Sequence, residues 1–115
     1  MGDFFDNWTV QVRKGMLETY TLSALAQKER YGYELVKMLV EMPGLSVSEG
    51  TLYPILSRLR IQGLVTTRLV ESAEGPARKY YALTAEGRKV LRLMEEYLAE
   101  MNAGERKLRQ KGASL

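Results

Sequence analysis

The sequence predicts a mainly helical α+β domain, with three helices, then a two-stranded hairpin, then one long helix. Three stretches carry this prediction. In residues 48–65, SEGTLYPILSRLRIQGLV, the apolar Leu52, Ile55, Leu56 and Leu59 fall at i, i+3, i+4 and i+7, which makes one buried stripe on a helix. Residues 64–71 and 78–84 are rich in β-branched and aromatic side chains and roughly alternate. They flank the turn cluster SAEGPA at 72–77, so they read as two paired strands. In residues 85–110, Val90, Met94, Tyr97 and Met101 recur at alternating spacings of four and three, a short heptad-like seam. A helix pair, a third helix with a polar outer face and a hairpin make a winged helix-turn-helix with a two-stranded β-wing. The last element reads as a long C-terminal dimerisation helix.

Each helix has its own signals. Residues 1–8 read as a loose arm whose Phe4, Phe5 and Trp8 need a neighbouring helix or a partner subunit to cover them. Residues 9–28 form the first helix, with Val10, Leu17, Tyr20, Thr21 and Leu25 on its apolar face. Gly15 weakens its middle, so the helix is expected to be firm only from Met16. Residues 31–42 form the second, with Tyr31, Leu35, Met38 and Leu39 on one side and Gly32 allowing close approach of another element. Pro43 and Gly44 stop it. Residues 45–47 are too short for much beyond a connector or a short strand.

Ser48 is expected to cap the third helix with its hydroxyl, and Gly63 to end it. Pro54 is tolerable there only if the helix starts near Gly50, which places the proline within or just past the first turn. Thr84 can cap the last helix. At about 1.5 Å per residue that helix is roughly 38 Å long, more than a small domain covers. Its surplus apolar face calls for a second copy, with folding back onto the first helix as the alternative. Leu91 and Leu98 widen the seam, and Gly104 is expected to fray the end. The expected organisation is a winged domain with its N-terminal arm over 1–84, a dimerisation helix over 85–110 and a tail over 111–115.

The composition narrows the chemistry. Residues 49–92 hold eight Lys or Arg against four Asp or Glu, whereas residues 1–48 hold five against six and residues 93–115 four against four. The excess positive charge therefore sits on the third helix and the hairpin, as an electrostatic footprint for DNA would. The chain has no Cys and no His, which removes thiolate and imidazole nucleophiles, disulfides and Cys/His metal sites. No cofactor and no metal are expected. Glu95 and Glu96 are adjacent on a helix and do not face each other, and Glu96 and Glu100 lie on a face read as exposed, so no acid/base pair forms. An enzyme is not expected. No apolar run approaches the roughly 20 residues of a membrane helix. The acidic start MGDFFDNW lacks the charged region of a signal peptide, and a cytoplasmic location is expected.

With these residues in place, the chain resembles the PadR family of bacterial transcriptional regulators, in its short form with a single C-terminal helix. The resemblance spans about residues 14–101. It rests on YGYEL at 31–35, SEGTLYPILSRLRIQGLV at 48–65 and GPARKYYALTAEG at 75–87. It implies a homodimer of winged-helix domains joined through the first and last helices. It also implies repression of neighbouring genes, relieved in some members by a small effector. Thr51, Leu52, Tyr53 and Arg58 match the family's recognition segment, which implies that Leu52 faces the core and Thr51 and Tyr53 meet DNA. Arg58 would then meet a phosphate or an acidic neighbour. Arg78, Lys79 and Tyr80 match the wing strand. Family members often carry a second glycine or basic residues at the wing tip. Here Glu74 precedes Gly75 and Ala77 follows Pro76, and an acid there opposes deep insertion of the tip.

The candidate DNA contacts are thus Ser48, Thr51, Tyr53, Ser57, Arg58, Arg78, Lys79 and Tyr80. The candidate dimer interface is Trp8, Val90, Leu91, Met94, Tyr97, Leu98 and Met101. No Asn or Gln stands at the front of the third helix to pair with adenine, so phosphate positioning and DNA shape are expected to outweigh base readout. The partners expected are double-stranded DNA, a second copy of the chain and a small apolar or aromatic effector held by Trp8, Met94 and Tyr97. The rival reading is a winged-helix module for ligand sensing or protein interaction, with DNA binding secondary.

Overall fold

The computed structural model describes residues 2–114, and its order of elements is α1 (Gly2–Ala24), β1 (Arg30–Tyr31), α2 (Gly32–Val40), α3 (Glu49–Ile61), β2 (Val65–Val70), β3 (Arg78–Leu83) and α4 (Ala85–Ser114). The strands form one antiparallel sheet in the order β1-β3-β2. The stripe Leu52, Ile55, Leu56 and Leu59 is buried against Leu22, Leu35 and Leu39 of the first two helices and Val65 and Tyr81 of the sheet.

Residues 2–8 are not a loose arm: α1 runs unbroken from Gly2 through Gly15. Asp3 sits in the first turn, where an acid favours the positive end of the helix dipole. Phe5 and Trp8 stack at i, i+3 with ring centroids 5.9 Å apart. The helix also ends earlier than expected, at Ala24 rather than residue 28, because the chain must turn to place Arg30 and Tyr31 in β1. Its last turn carries no basic residue. Two arginines from elsewhere serve instead: Arg30 Nε donates to the Ala24 carbonyl, and Arg88 of α4 donates to the Ala26 carbonyl at 2.8 Å. β1 was not foreseen. It adds to the hairpin only through Arg30↔Tyr81 and Tyr31↔Tyr80, too short a stretch for periodicity to reveal.

α3 starts as expected, but Ser48 makes no side-chain cap. Its Oγ lies 3.3 Å from the Thr51 hydroxyl instead. Pro54 is the sixth residue of the helix, just past the first turn. The carbonyl it leaves without a donor belongs to Gly50, which is exposed and can be met by water. At the other end Gly63 takes φ +78°. The Leu64 amide bonds the Leu59 carbonyl and the Gly63 amide bonds the Arg60 carbonyl, each at 3.0 Å, a Schellman stop that only a residue tolerant of positive φ permits.

The same corner starts α4. The Thr84 hydroxyl donates to the Gly63 carbonyl at 2.7 Å and accepts from the Gly87 amide at 2.9 Å, while the Thr84 amide bonds the Leu64 carbonyl at 3.1 Å. The end of α3 and the start of α4 are thereby one unit. α4 then continues through Gly104 to Ser114, so neither the expected fraying at Gly104 nor the end at 110 is observed. A Glu105–Arg109 ion pair at 2.7 Å follows that glycine. Of the tail expected at 111–115, the backbone to Ser114 is helical and Leu115 lies outside the described residues.

The early turns of α4 fold back on the rest of the chain. Leu91, expected in a dimer seam, is only 7% exposed and belongs to the chain's own core, with Val90 and Met94 packed beside it. Thr19 of α1 donates to the Met94 sulfur at 3.4 Å. Later along the helix Tyr97, Met101 and Leu108 are more than half exposed, as are Phe4, Phe5 and Trp8 on α1. The principal extents, 67 × 34 × 21 Å, show how far this uncovered helix reaches. Among the described residues no helix is long and apolar enough to cross a membrane.

Candidate nucleic-acid interface

With its stripe buried, α3 turns Thr51, Tyr53, Ser57, Arg58 and Arg60 to solvent, and Ser48 is exposed just ahead of them. Tyr53 is 42% exposed, enough for its ring to meet a ligand while one side rests on the protein. The base of the wing stands beside this face. Burial raises the Tyr81 hydroxyl above its ordinary pKa; the nearby Tyr53 pushes it further and Arg60 opposes it.

The strand pleat divides the wing residues. Successive side chains alternate across a sheet, so Lys79 shares the face of the buried Tyr81, the side on which α3 lies. Arg78 and Tyr80 share the other. There they join an aromatic ladder: the Arg78 guanidinium lies 4.8 Å from the Tyr31 ring centroid, Tyr31 and Tyr80 are 5.9 Å apart, and the Arg68 guanidinium lies 5.7 Å from Tyr80. Arg68 also grips Glu29 with two donors, Nε to Oε2 at 2.9 Å and Nη2 to Oε1. Of the eight candidate DNA contacts, Ser48, Thr51, Tyr53, Ser57 and Arg58 lie on or just ahead of the outer face of α3, Lys79 lies on the Tyr81 face of the wing, and Arg78 and Tyr80 lie on its other face.

The Arg68 hydrogen bond holds the Glu29 carboxyl below its ordinary pKa. A carboxylate depressed by folding contributes above its unfolded pKa, and that contribution is lost as pH falls through the lower, folded value. Carbon-detected NMR titration should therefore find Glu29 still ionised at pH values where its carboxyl in the unfolded chain is already protonating. Arg68→Ala should return Glu29 to the ordinary range; an unchanged midpoint would mean that Arg68 does not hold it in solution.

The expected effector residues are only partly brought together. Met94, Tyr97 and Leu98 line a groove of about 310 Å³ with Val12, Met16 and Thr19 of α1. Trp8 is absent from that lining and stacks on Phe5 nearer the helix start. A larger groove of about 440 Å³, between α1, α2 and α4, is lined by Met16, Tyr20, Met38 and Met42, with Glu95 at its edge. It went unforeseen because its methionines belong to different elements.

A family model described as the transcriptional regulator PadR-like family matches residues 21–93. The chain belongs to the PadR-like family of transcriptional regulators. This PadR-like chain is 36% identical to a PadR family regulator from Eggerthella lenta, with 92% of each chain covered and a TM-score of 0.79. It is 39% identical to a PadR-like transcription factor from Bacteroides fragilis, covering 89% of this chain and 98% of that one, with a TM-score of 0.74. A transcriptional regulator from Mycobacterium tuberculosis is 32% identical over 99 residues, which cover 83% of this chain and 91% of that protein. The PadR-like family regulates transcription and is not a family of enzymes. The matched residues run from the last turn of α1 to just past Leu91, so they take in α2, α3, the whole wing and the first turns of α4.

One side chain of this PadR-like regulator, Glu18, was not legible in the sequence, and a second, Arg60, was placed on the outer face of α3 without a role. Glu18 of α1 meets Arg58 of α3 at 2.8 Å, across 40 residues of sequence. Arg60 lies near enough to Tyr81 to influence its ionisation. Helical spacing already placed Arg60 on the outer face of α3, whereas no local pattern pointed to Glu18.

Proposed function

We propose that this PadR-like regulator acts in the cytoplasm as a homodimeric repressor on a palindromic or near-palindromic DNA operator. Residues 1–84 carry the DNA-binding unit and 85–110 the dimerisation helix. The observation that supports this reading best is the uncovered polar face of α3 beside Lys79, presented by a helix whose opposite face is fixed in the core. Such a helix fits the major groove, and two of them related by a twofold axis read half-sites about 10 bp, or a multiple of that, apart. Tyr53, Thr51 and Ser57 meet base edges, Lys79 meets a phosphate, and Arg58 faces a phosphate that has to displace its Glu18 partner. Ser48 contributes at the helix start.

Lys79 and Arg78 test the assignment because they are adjacent in sequence and opposite in space. Lys79→Ala should reduce the slope of log affinity against log salt by about 0.9, the value for one phosphate on B-DNA. Arg78→Ala should leave the slope near wild type, since its guanidinium rests on Tyr31. Equal losses for the two variants would refute the division of the wing.

The dimer is supported by the uncovered apolar side chains of α1 and of α4 beyond Met94, Trp8, Tyr97 and Met101, with the half-buried Val90, Met94 and Leu98 at the inner edge. Met101→Glu should shift the sedimenting species from dimer to monomer without loss of helical signal. A charged side chain left unpaired in a closed apolar interface is strongly disfavoured. A variant that sediments as wild type would place the interface elsewhere. In the same account an apolar or aromatic effector enters the groove lined by Met94 and Tyr97 and releases the operator.

A further inference from the structure

Glu18 is on α1 and Arg58 on the outer face of the recognition-type helix, yet they are joined by a hydrogen-bonded ion pair at 2.8 Å. We propose that Glu18 is a built-in competitor for DNA at Arg58: its carboxylate stands where a phosphodiester oxygen would sit, and it lowers the affinity of the α3 face for nucleic acid. The inference rests on the DNA-binding reading above and adds a residue that opposes it.

Three features support the assignment. First, the pair is exposed, with 57% of the Arg58 side chain and 31% of the Glu18 side chain open to solvent, and exposed ion pairs contribute little to stability. Second, the contact uses one donor, Nη2, and one acceptor, Oε2. A guanidinium has five donors, and carboxylate and phosphate oxygens compete for them with the same geometry. Third, the acid is held in place by its own helix. Leu17 before it and Thr19 after it are buried, and Thr19 is bonded to Met94 of α4. Glu18 is therefore not a flexible tail acid that drifts over the surface. The α1–α4 packing fixes it above α3.

The consequence is electrostatic. An arginine already balanced by a fixed carboxylate brings little net charge to neutralise a phosphate, so it displaces few of the cations condensed on the DNA and contributes little to the salt-dependent part of binding. Removing the Glu18 charge frees Arg58 to act as one more phosphate contact.

The test is a fluorescence anisotropy titration of the full chain with a random-sequence duplex over a range of salt concentrations, comparing wild type, E18Q, R58A and the double variant. Because both side chains are exposed, each variant should melt close to wild type by circular dichroism. E18Q is expected to tighten binding about three- to tenfold at low salt and to steepen the salt slope by about 0.9. On the R58A background the same substitution should change little, since the effect runs through Arg58. An E18Q protein that binds as wild type, or more weakly, would overturn this inference alone. An equal gain with and without Arg58 would also overturn it, because the acid would then act only through net charge. A wild-type chain that binds no duplex even at low salt would overturn the DNA-binding reading and this inference with it.

Discussion

Gly87→Ala is expected to destabilise the protein more than any other single methyl addition at its glycines. A Cβ at Gly87 would lie 2.0 Å from the Leu64 carbonyl oxygen and 2.8 Å from the Leu83 Cδ1. The first neighbour is backbone, held by the hydrogen bond from the Thr84 amide, and cannot rotate away. Relief requires α4 to lift from the turn that leads into β2, which also breaks the Thr84 hydroxyl bridge between Gly63 and Gly87. A loss of about 3 kcal/mol, the upper part of the range for overpacking, is expected. For a domain of this size that corresponds to a fall in Tm of roughly 10–20 °C. Gly104 is the control. A Cβ there meets nothing within 4 Å, and Gly104→Ala in the same helix should stabilise by about 0.5–1 kcal/mol. A Gly87→Ala protein melting with wild type would mean that α4 does not approach the α3–β2 corner so closely.

The parts of this architecture that were legible from sequence are those written with a period. The α3 stripe repeats at helical spacing, and the wing strands alternate around a turn cluster. Thr84 as a cap and Gly63 as a stop are single-residue signals with a definite backbone requirement. What escaped depends on contacts between distant residues. β1 is two residues long and exists only because β3 offers it a partner. The start of α1 was misread because Gly15 weakens the helix locally, whereas the Phe5–Trp8 stack and the packing of its second half keep it continuous. Leu91 follows the same spacing as the seam residues, but a long helix that begins against its own core gives its first turns to that core. Within the candidate interface, the separation of Arg78 from Lys79 follows from the strand pleat and could be read from any two adjacent strand residues. The Glu18–Arg58 pair has no such local signature.

Tyr53→Ala is the second large effect, on binding rather than folding. Tyr53 projects from the solvent side of α3 between Thr51 and Ser57, next to the buried Leu52, and its ring is the largest apolar group on that face. In the proposed complex it stands at the front of the helix, where side chains reach base edges in the major groove. Its removal should weaken binding to the specific operator by about 1–3 kcal/mol, the range for a good base contact. Binding to scrambled DNA should change far less, because phosphate contacts are untouched. Stability should stay within about 0.5 kcal/mol of wild type, as for an exposed side chain outside a cap or network. A folded Tyr53→Ala protein with unchanged operator affinity would remove Tyr53 from the interface.

The Tyr53 prediction depends on the claim that two copies of the α3 face engage one specific duplex. Fluorescence anisotropy with the intergenic DNA upstream of the protein's own gene, against scrambled DNA of equal length and at two salt concentrations, tests it most directly. The account predicts a large preference for the native fragment, saturation at two chains per site, and weaker binding at the higher salt. Weak and equal binding to both fragments, vanishing as salt rises, would contradict it and leave the basic face of α3 and the wing without a specific operator at that locus.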